Sequence, residues 1–236
     1  MKHSTMPEAA ASASALLFAS DGVEIRHRVL SPEDIRAVRS DISLDDDKLR
    51  RSGIRNLEKK FDSVARLAAS PAVLSIASAL LGATPRLVRA LFFDKTSERN
   101  WFVAWHQDKT VAVNKKMDMA GWESWSVKDG IHHVQPPCEV LNQMITLRLH
   151  IDPAHESNGC LRVIPGSHRL GLLQQEAIGP AVANDTAVSC VVDAGDAVIM
   201  RPHILHSSGK SLGGGHRRVV HLEYSSFMLP AGVEWA

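Results

Sequence analysis

WFVAWHQD, residues 101–108, is a short apolar run that closes on a histidine and, two positions later, a carboxylate. Side chains alternate across a strand, so His106 and Asp108 share a face and can converge on one ion. Outward from this segment, short runs rich in β-branched and large apolar residues recur: RLVRALFF (86–93), EVLNQMITLRLHI (139–151), CLRVI (160–164), AVSCVVD (187–193), AVIM (197–200) and RRVVHLEYSSF (217–227). Gly, Pro, Asn and Asp punctuate them. Seven or so short strands without intervening helices predict an all-β sandwich or barrel spanning roughly residues 86–226.

The preceding third reads as helical support, mainly over 31–82. Ser31, Pro32 and Asp34 form an N-cap, a proline at the first helical position and a capping-box-like acid. Ser70 and Pro71 open a second helix that Gly82 can close in a left-handed cap. Both are expected to brace the outside of a sheet. The first twenty residues have a basic start and small residues, but Ser12 and Ser14 break the apolar stretch, so they read as a loose leader rather than a signal peptide. From Lys109 to Pro137 the periodicity is weak, which predicts a lid-like insertion carrying Trp122, Trp125, His132 and His133. Trp122 and Trp125 either line a substrate cavity or pack the lid against itself.

A chain of 236 residues fits one such domain, 1–236. Twenty-seven Lys and Arg nearly balance 26 Asp and Glu, without a long basic run, so a nucleic-acid partner is not expected and a small molecule is. No run reaches the roughly 20 apolar residues a bilayer needs, so no membrane partner is expected. Cys138, Cys160 and Cys190 are odd in number and widely spaced, which fits neither a disulfide framework nor a thiolate zinc site and points to a reducing, cytoplasmic compartment.

An HxD pair is a weak signal among 12 histidines. A third ligand must come from elsewhere, and GDAVIMRPHILHSSGKS (195–211) offers His203 and His206 at the end of another strand. Two imidazoles and one carboxylate leave coordination positions open for a chelating cosubstrate and O2. Arg217 follows His206 by eleven residues, and ESNGCLRVIPGSH (156–168) lies between the two halves of the constellation. His168 in that block reads as a turn residue.

With these segments in place, the stretch from about Arg86 to Tyr224 resembles the phytanoyl-CoA dioxygenase family of iron(II), 2-oxoglutarate-dependent oxygenases. The shared features are a WHxD segment, an ENGxLxVIPGSH block, and a distal histidine followed by serine and arginine. The resemblance implies a mainly β, double-stranded β-helix of jelly-roll, cupin-like type with flanking helices. It implies that His106, Asp108 and His206 bind iron(II) and so carry catalysis, and that Arg217 binds the distal carboxylate of 2-oxoglutarate with Ser208 hydrogen-bonding the same group. The spacing to Ser208 and Arg217 selects His206 over His203. Alternation lets only one of Arg217 and Arg218 point inward, and the offset from His206 favours Arg217.

Two positions depart from the family pattern. Lys210 and Ser211 stand where proline and asparagine are common, and Arg148 stands eleven residues before Gly159, where tryptophan is common. Leu147, Leu149 and Ile151 form an apolar face, which puts Thr146, Arg148 and His150 on the other. There Arg148 either meets an anion in the cavity, or the face is solvated or Arg148 pairs with a structural carboxylate. The expected activity is hydroxylation of a small organic substrate with O2 and 2-oxoglutarate as cosubstrates, releasing succinate and CO2. The alternatives are a cupin-like metal enzyme that does not use 2-oxoglutarate, and a non-catalytic binding or sensor protein on the same fold. Oligomeric state is not legible.

Overall fold

The computed structural model describes residues 16–43 and 54–236, so the leader expected at the start of the chain lies outside the described residues as far as position 15. A single turn, α1 (Phe18–Asp21), leads into a short strand, β1 (Val23–Arg26). Helix α2 (Pro32–Ser43) begins at the expected cap: the Ser31 amide and hydroxyl both donate to Asp34 Oδ2, and the Asp34 amide donates back to Ser31 Oγ. A two-residue strand, β2 (Ile54–Arg55), precedes α3 (Asp62–Ala68) and α4 (Pro71–Leu81). Ser70 caps α4 by accepting from the Val73 amide, and Gly82 closes it at φ 66°, in the left-handed region.

Next come β3 (Arg86–Lys95) and β4 (Val103–His106). The stretch expected as a lid-like insertion contains three strands, β5 (Val111–Val113), β6 (Glu123–Lys128) and β7 (Ile131–Gln135). Asp129 and Gly130, both at positive φ, turn β6 into β7. Asp-Gly between two strand-like runs is a strong hairpin signal, and it went unread because charged and polar residues mask the alternation of β6. Helical turn α5 (Cys138–Leu141) occupies the start of the run expected as one long strand, so β8 is confined to Met144–His150. Strand β9 (Leu161–Val163) is followed by α6 (Gln175–Ala183), a helix the sequence reading did not place because Gly179 and Pro180 depress its helical propensity. The remaining strands are β10 (Val188–Cys190), β11 (Ala197–Met200), β12 (His206–Ser208) and β13 (Arg217–Ser225).

These strands build a six-stranded sheet in the order β1-β11-β8-β13-β3-β2, a four-stranded sheet β10-β9-β12-β4, and a three-stranded sheet β5-β7-β6. The pairings within them are antiparallel. The first two face each other as the halves of a jelly roll, a double-stranded β-helix. The outer face of the large sheet packs Ile145, Leu147, Leu149, Val220, Leu222 and Tyr224 against the apolar sides of α2, α3 and α4. Between the sheets the interior is divided. Under β1 and β11 it is apolar, with Val198 and Met200 packed on Leu161, Val163 and Val188. Under β3, β13 and β8 it is polar, and the cavity lies there. Among the described residues no single helix is long and apolar enough to cross a membrane.

Candidate metal and cosubstrate site

Strand β12 lies between β9 and β4, and its register sets His206 directly across from His106. Opposed residues on antiparallel strands hold their Cβ atoms about 5 Å apart, close enough for two imidazoles to reach one ion. Asp108 stands just past β4, its amide donating to Pro202 O, with its carboxylate 3.7 Å from His106 Nε2 and 3.6 Å from His206 Nε2. The three candidate ligand atoms all lie within 4.8 Å of one another.

Backbone carbonyls fix the tautomers. His106 Nδ1 is 2.9 Å from Ala104 O, and His206 Nδ1 is 2.9 Å from Ile204 O. A carbonyl only accepts, so both Nδ1 atoms carry the proton and both Nε2 lone pairs face the shared point. This is the orienting contact expected behind a metal-bound imidazole. Burial holds His206 down to about 4, so its ring is neutral at neutral pH, as ligation requires. Burial alone would raise the Asp108 carboxyl, but His206, His221, His106 and Arg89 outweigh it and hold the group at about 2. His206 is buried and His106 stands partly open to solvent, which leaves a side for exchangeable ligands.

Gln107, between the two ligands, points the other way. Its Nε2 donates to His203 O at 2.7 Å and Gly171 O at 2.8 Å, and its Oε1 accepts from the Leu173 amide. It ties the ligand segment to two loops, a role the strand alternation allowed but the sequence reading did not assign. His203 is fully buried, with neither ring nitrogen hydrogen-bonded among the described residues, beside His168 at a ring separation of 6.1 Å, and it is not part of the three-residue group.

The cavity next to the group is lined by Leu91, Phe93, Trp101, Val103 and Leu161, and by the cations Lys95, Arg148 and Arg217. Arg217 is 2% exposed, and its Nε and Nη1 have no hydrogen-bond partner among the described residues. Arg218 points out of the cavity, doubly bonded to Asp152 at 2.7 and 2.8 Å, as alternation required. Lys95, which sequence reading missed, sits across from Arg217 in the register; its ammonium donates to Ser208 Oγ at 2.8 Å and to Gly209 O. Burial, then Arg217 and Arg148, push Lys95 down to about 7. Ser208 Oγ donates to Gly159 O at 2.8 Å, so its proton is committed to the backbone and its lone pair holds Lys95. Gly159 has to be glycine: φ is 72°, and a Cβ there would collide with the Gly209 carbonyl.

Trp122 and Trp125 are not brought to this cavity. Trp122 is buried in a separate apolar cluster with Val111, Val134 and Phe227, and Trp125 Nε1 donates to Trp122 O. A second acid–histidine group, Asp108 with His221 and Glu223, also lies within 4.8 Å. Its donor atoms are already engaged, since Arg89 grips Glu223 and His221 bonds both Glu223 and Arg148, so it reads as an ion-pair network behind the cavity.

The donor set suits iron(II): two imidazoles and one carboxylate. The unpaired guanidinium atoms of Arg217 suit a dicarboxylate that chelates the metal at its other end. Jelly roll and site together define a 2-oxoglutarate-dependent non-haem iron dioxygenase. The chain belongs to the phytanoyl-CoA dioxygenase (PhyH) family, whose model matches residues 18–219. It is 22% identical over 246 aligned positions to ectoine dioxygenase of Nocardia farcinica (strain IFM 10152), covering 89% of this chain and 76% of that protein. The crystal structure of AviO1 from Streptomyces viridochromogenes Tue57 superposes with a TM-score of 0.68 at 22% identity, covering 96% of this chain and 99% of that one. HygX from Streptomyces hygroscopicus, with nickel and 2-oxoglutarate bound, superposes with a TM-score of 0.63 at 15% identity, covering 89% and 85%.

Proposed function

We propose that the enzyme hydroxylates a small organic substrate held beside His106, Asp108 and His206. In this reaction one oxygen atom of O2 enters the substrate, and the other enters succinate as 2-oxoglutarate loses CO2. Iron(II) with 2-oxoglutarate supplies the oxidising chemistry; the protein supplies placement and a dry cavity. Arg217 binds the distal carboxylate of 2-oxoglutarate, with Lys95 held beside it by Ser208. Leu91, Phe93, Val103 and Leu161 exclude water around the reacting carbon.

One observation supports this reading above the rest. A buried guanidinium in the metal cavity has two nitrogens without a partner among the described residues, a costly arrangement unless an anion completes it. A metal enzyme acting without 2-oxoglutarate has no use for Arg217 at that place, and a non-catalytic binding protein has no need of the open two-histidine, one-carboxylate group. Anaerobic titration of the protein with iron(II) and then 2-oxoglutarate should produce a weak visible charge-transfer band that saturates at one equivalent per chain. Succinate should then form on admission of air, and faster with an accepted substrate. A titration without a band would remove 2-oxoglutarate from the reaction.

A further inference from the structure

The register of the large sheet arranges its inward side chains in rows. Lys95 and Arg217 share one; Phe93, Val219 and His150 the next; then Leu91, His221 and Arg148; then Arg89, Glu223 and Thr146. Successive rows are about 6.5 Å apart along a strand. The backbone of Arg148 therefore stands two rows from that of Arg217, roughly 13 Å along the strand direction.

Its partners show where its charge is left. Arg148 is 6% exposed, its guanidinium lies 5.5 Å over the Phe93 ring, and Nη1 is 3.0 Å from His221 Nδ1. A guanidinium only donates, so His221 Nδ1 accepts. The His221 proton is then on Nε2, donated to Glu223 Oε1 at 3.1 Å. Arg89 closes the chain by gripping both oxygens of Glu223, each at 2.8 Å. With every proton assigned, the imidazole is neutral and Glu223 is matched by Arg89. The positive charge on Arg148 is in direct contact with a ring and a neutral nitrogen, and its Nε has no hydrogen-bond partner among the described residues.

Among the described residues the rest of the cavity supplies one carboxylate, Asp108, which acts on Arg148 through space but is placed for the metal. One carboxylate of 2-oxoglutarate goes with the metal and the other with Arg217 and Lys95. Arg148 remains a desolvated cation beside apolar walls, a position that is stable only with an anion to meet it.

We propose that Arg148 is a second carboxylate seat, and that the substrate is a carboxylic acid with an apolar body. Its carboxylate docks on Arg148, and its carbon skeleton lies on Leu91, Phe93 and Leu161 within reach of the metal group. The inference rests on the reading of Arg217 as the anchor of 2-oxoglutarate. It departs from the family pattern, in which tryptophan is common at this position and offers no charge.

The test uses matched acids and amides as probes, hexanoate against hexanamide and phenylacetate against phenylacetamide. They are added to the anaerobic complex with iron(II) and 2-oxoglutarate, and read by the change in the charge-transfer band and by melting temperature. The acids should bind and the amides should not. Arg148→Gln should weaken the acids by roughly thirtyfold or more, Arg148→Lys should restore part of that, and 2-oxoglutarate affinity should stay within about threefold of wild type in both. Amides binding as well as acids, no acid binding at all, or undiminished acid binding in Arg148→Gln would overturn the proposal. If Arg148→Gln instead weakens 2-oxoglutarate as much as Arg217→Ala does, the seat belongs to the cosubstrate and the acidic substrate is ruled out. Absence of any band in wild type marks failure of the cosubstrate reading alone, because the acid-against-amide difference in melting temperature, compared between wild type and Arg148→Gln, still reports on Arg148 in the metal-free protein.

Discussion

Strand β13 carries two opposite chemistries on its two faces. Outward, Val220, Leu222 and Tyr224 pack on the helices, and even the Tyr224 hydroxyl is satisfied, donating to Ala68 O at 2.7 Å. Inward, Arg217 and His221 line the cavity, and Glu223 stands behind it in the grip of Arg89. On the sheet's inner side Arg217 Nε and Nη1, Arg148 Nε, Thr146 Oγ1 and both ring nitrogens of His150 have no hydrogen-bond partner among the described residues. Native interiors leave few buried polar groups unsatisfied, so a concentration of them on one face marks where ligands complete the structure. The outer face stabilises the fold, and the inner face spends part of that stability on function.

The sharpest way to break this contrast is to cut the inner side at the metal. His206→Ala should abolish stoichiometric iron binding and reduce 2-oxoglutarate turnover to background while the circular dichroism spectrum stays native. If His203→Ala has that effect and His206→Ala does not, the ligand set is wrong. On the outer face, Leu222→Ala should cost about 2–5 kcal/mol of stability, read as a lowered denaturant midpoint, with 2-oxoglutarate affinity intact in the folded protein. Parallel loss of both would show that the faces are not separable. Arg217→Ala should cost about 2–5 kcal/mol of 2-oxoglutarate binding, while Arg218→Ala, which breaks the pairing with Asp152, should change affinity little. A reversed pattern in calorimetric titration would mean that β13 presents the other arginine to the ligand.

Lys95 gives a smaller, pH-dependent effect. Its pKa is about 7 because of burial and the neighbouring Arg217 and Arg148, and a bound dicarboxylate favours the charged form. Binding therefore takes up a proton, and 2-oxoglutarate affinity should fall as pH rises through 7, by at most about tenfold per unit. Lys95→Met should flatten that slope. Without ligand the sign differs: folding disfavours the ammonium, so this group's contribution to stability improves from about pH 7 towards its ordinary 10.5. The smallest effect belongs to the periphery, where Ser31→Ala should remove the α2 capping box for about 1 kcal/mol and leave the cavity chemistry unchanged. A change in turnover there would tie the helical layer to the site.

The sequence by itself determined what depends on local spacing. The caps of α2 and α4, the i and i+2 placement of His106 and Asp108, and the opposite facing of Arg217 and Arg218 follow from periodicity and turn chemistry within a few residues, while the choice of Arg217 as the inward one came from the family resemblance through its offset from His206. The hairpin at Asp129–Gly130 was also local, though its polar strands hid it. Tertiary structure alone decided which distant side chains meet. Lys95 reaches Arg217 and Ser208, and Arg89 reaches Glu223, across more than a hundred residues of chain. Trp122 and Trp125, whose amphipathic character suits a cavity wall, went instead to the core of the three-stranded sheet. The physical reason is register. Alternation within a strand says which face a side chain takes, but its partner on that face is set by how a strand far away in sequence slides against it, and one residue of slip would replace every pair.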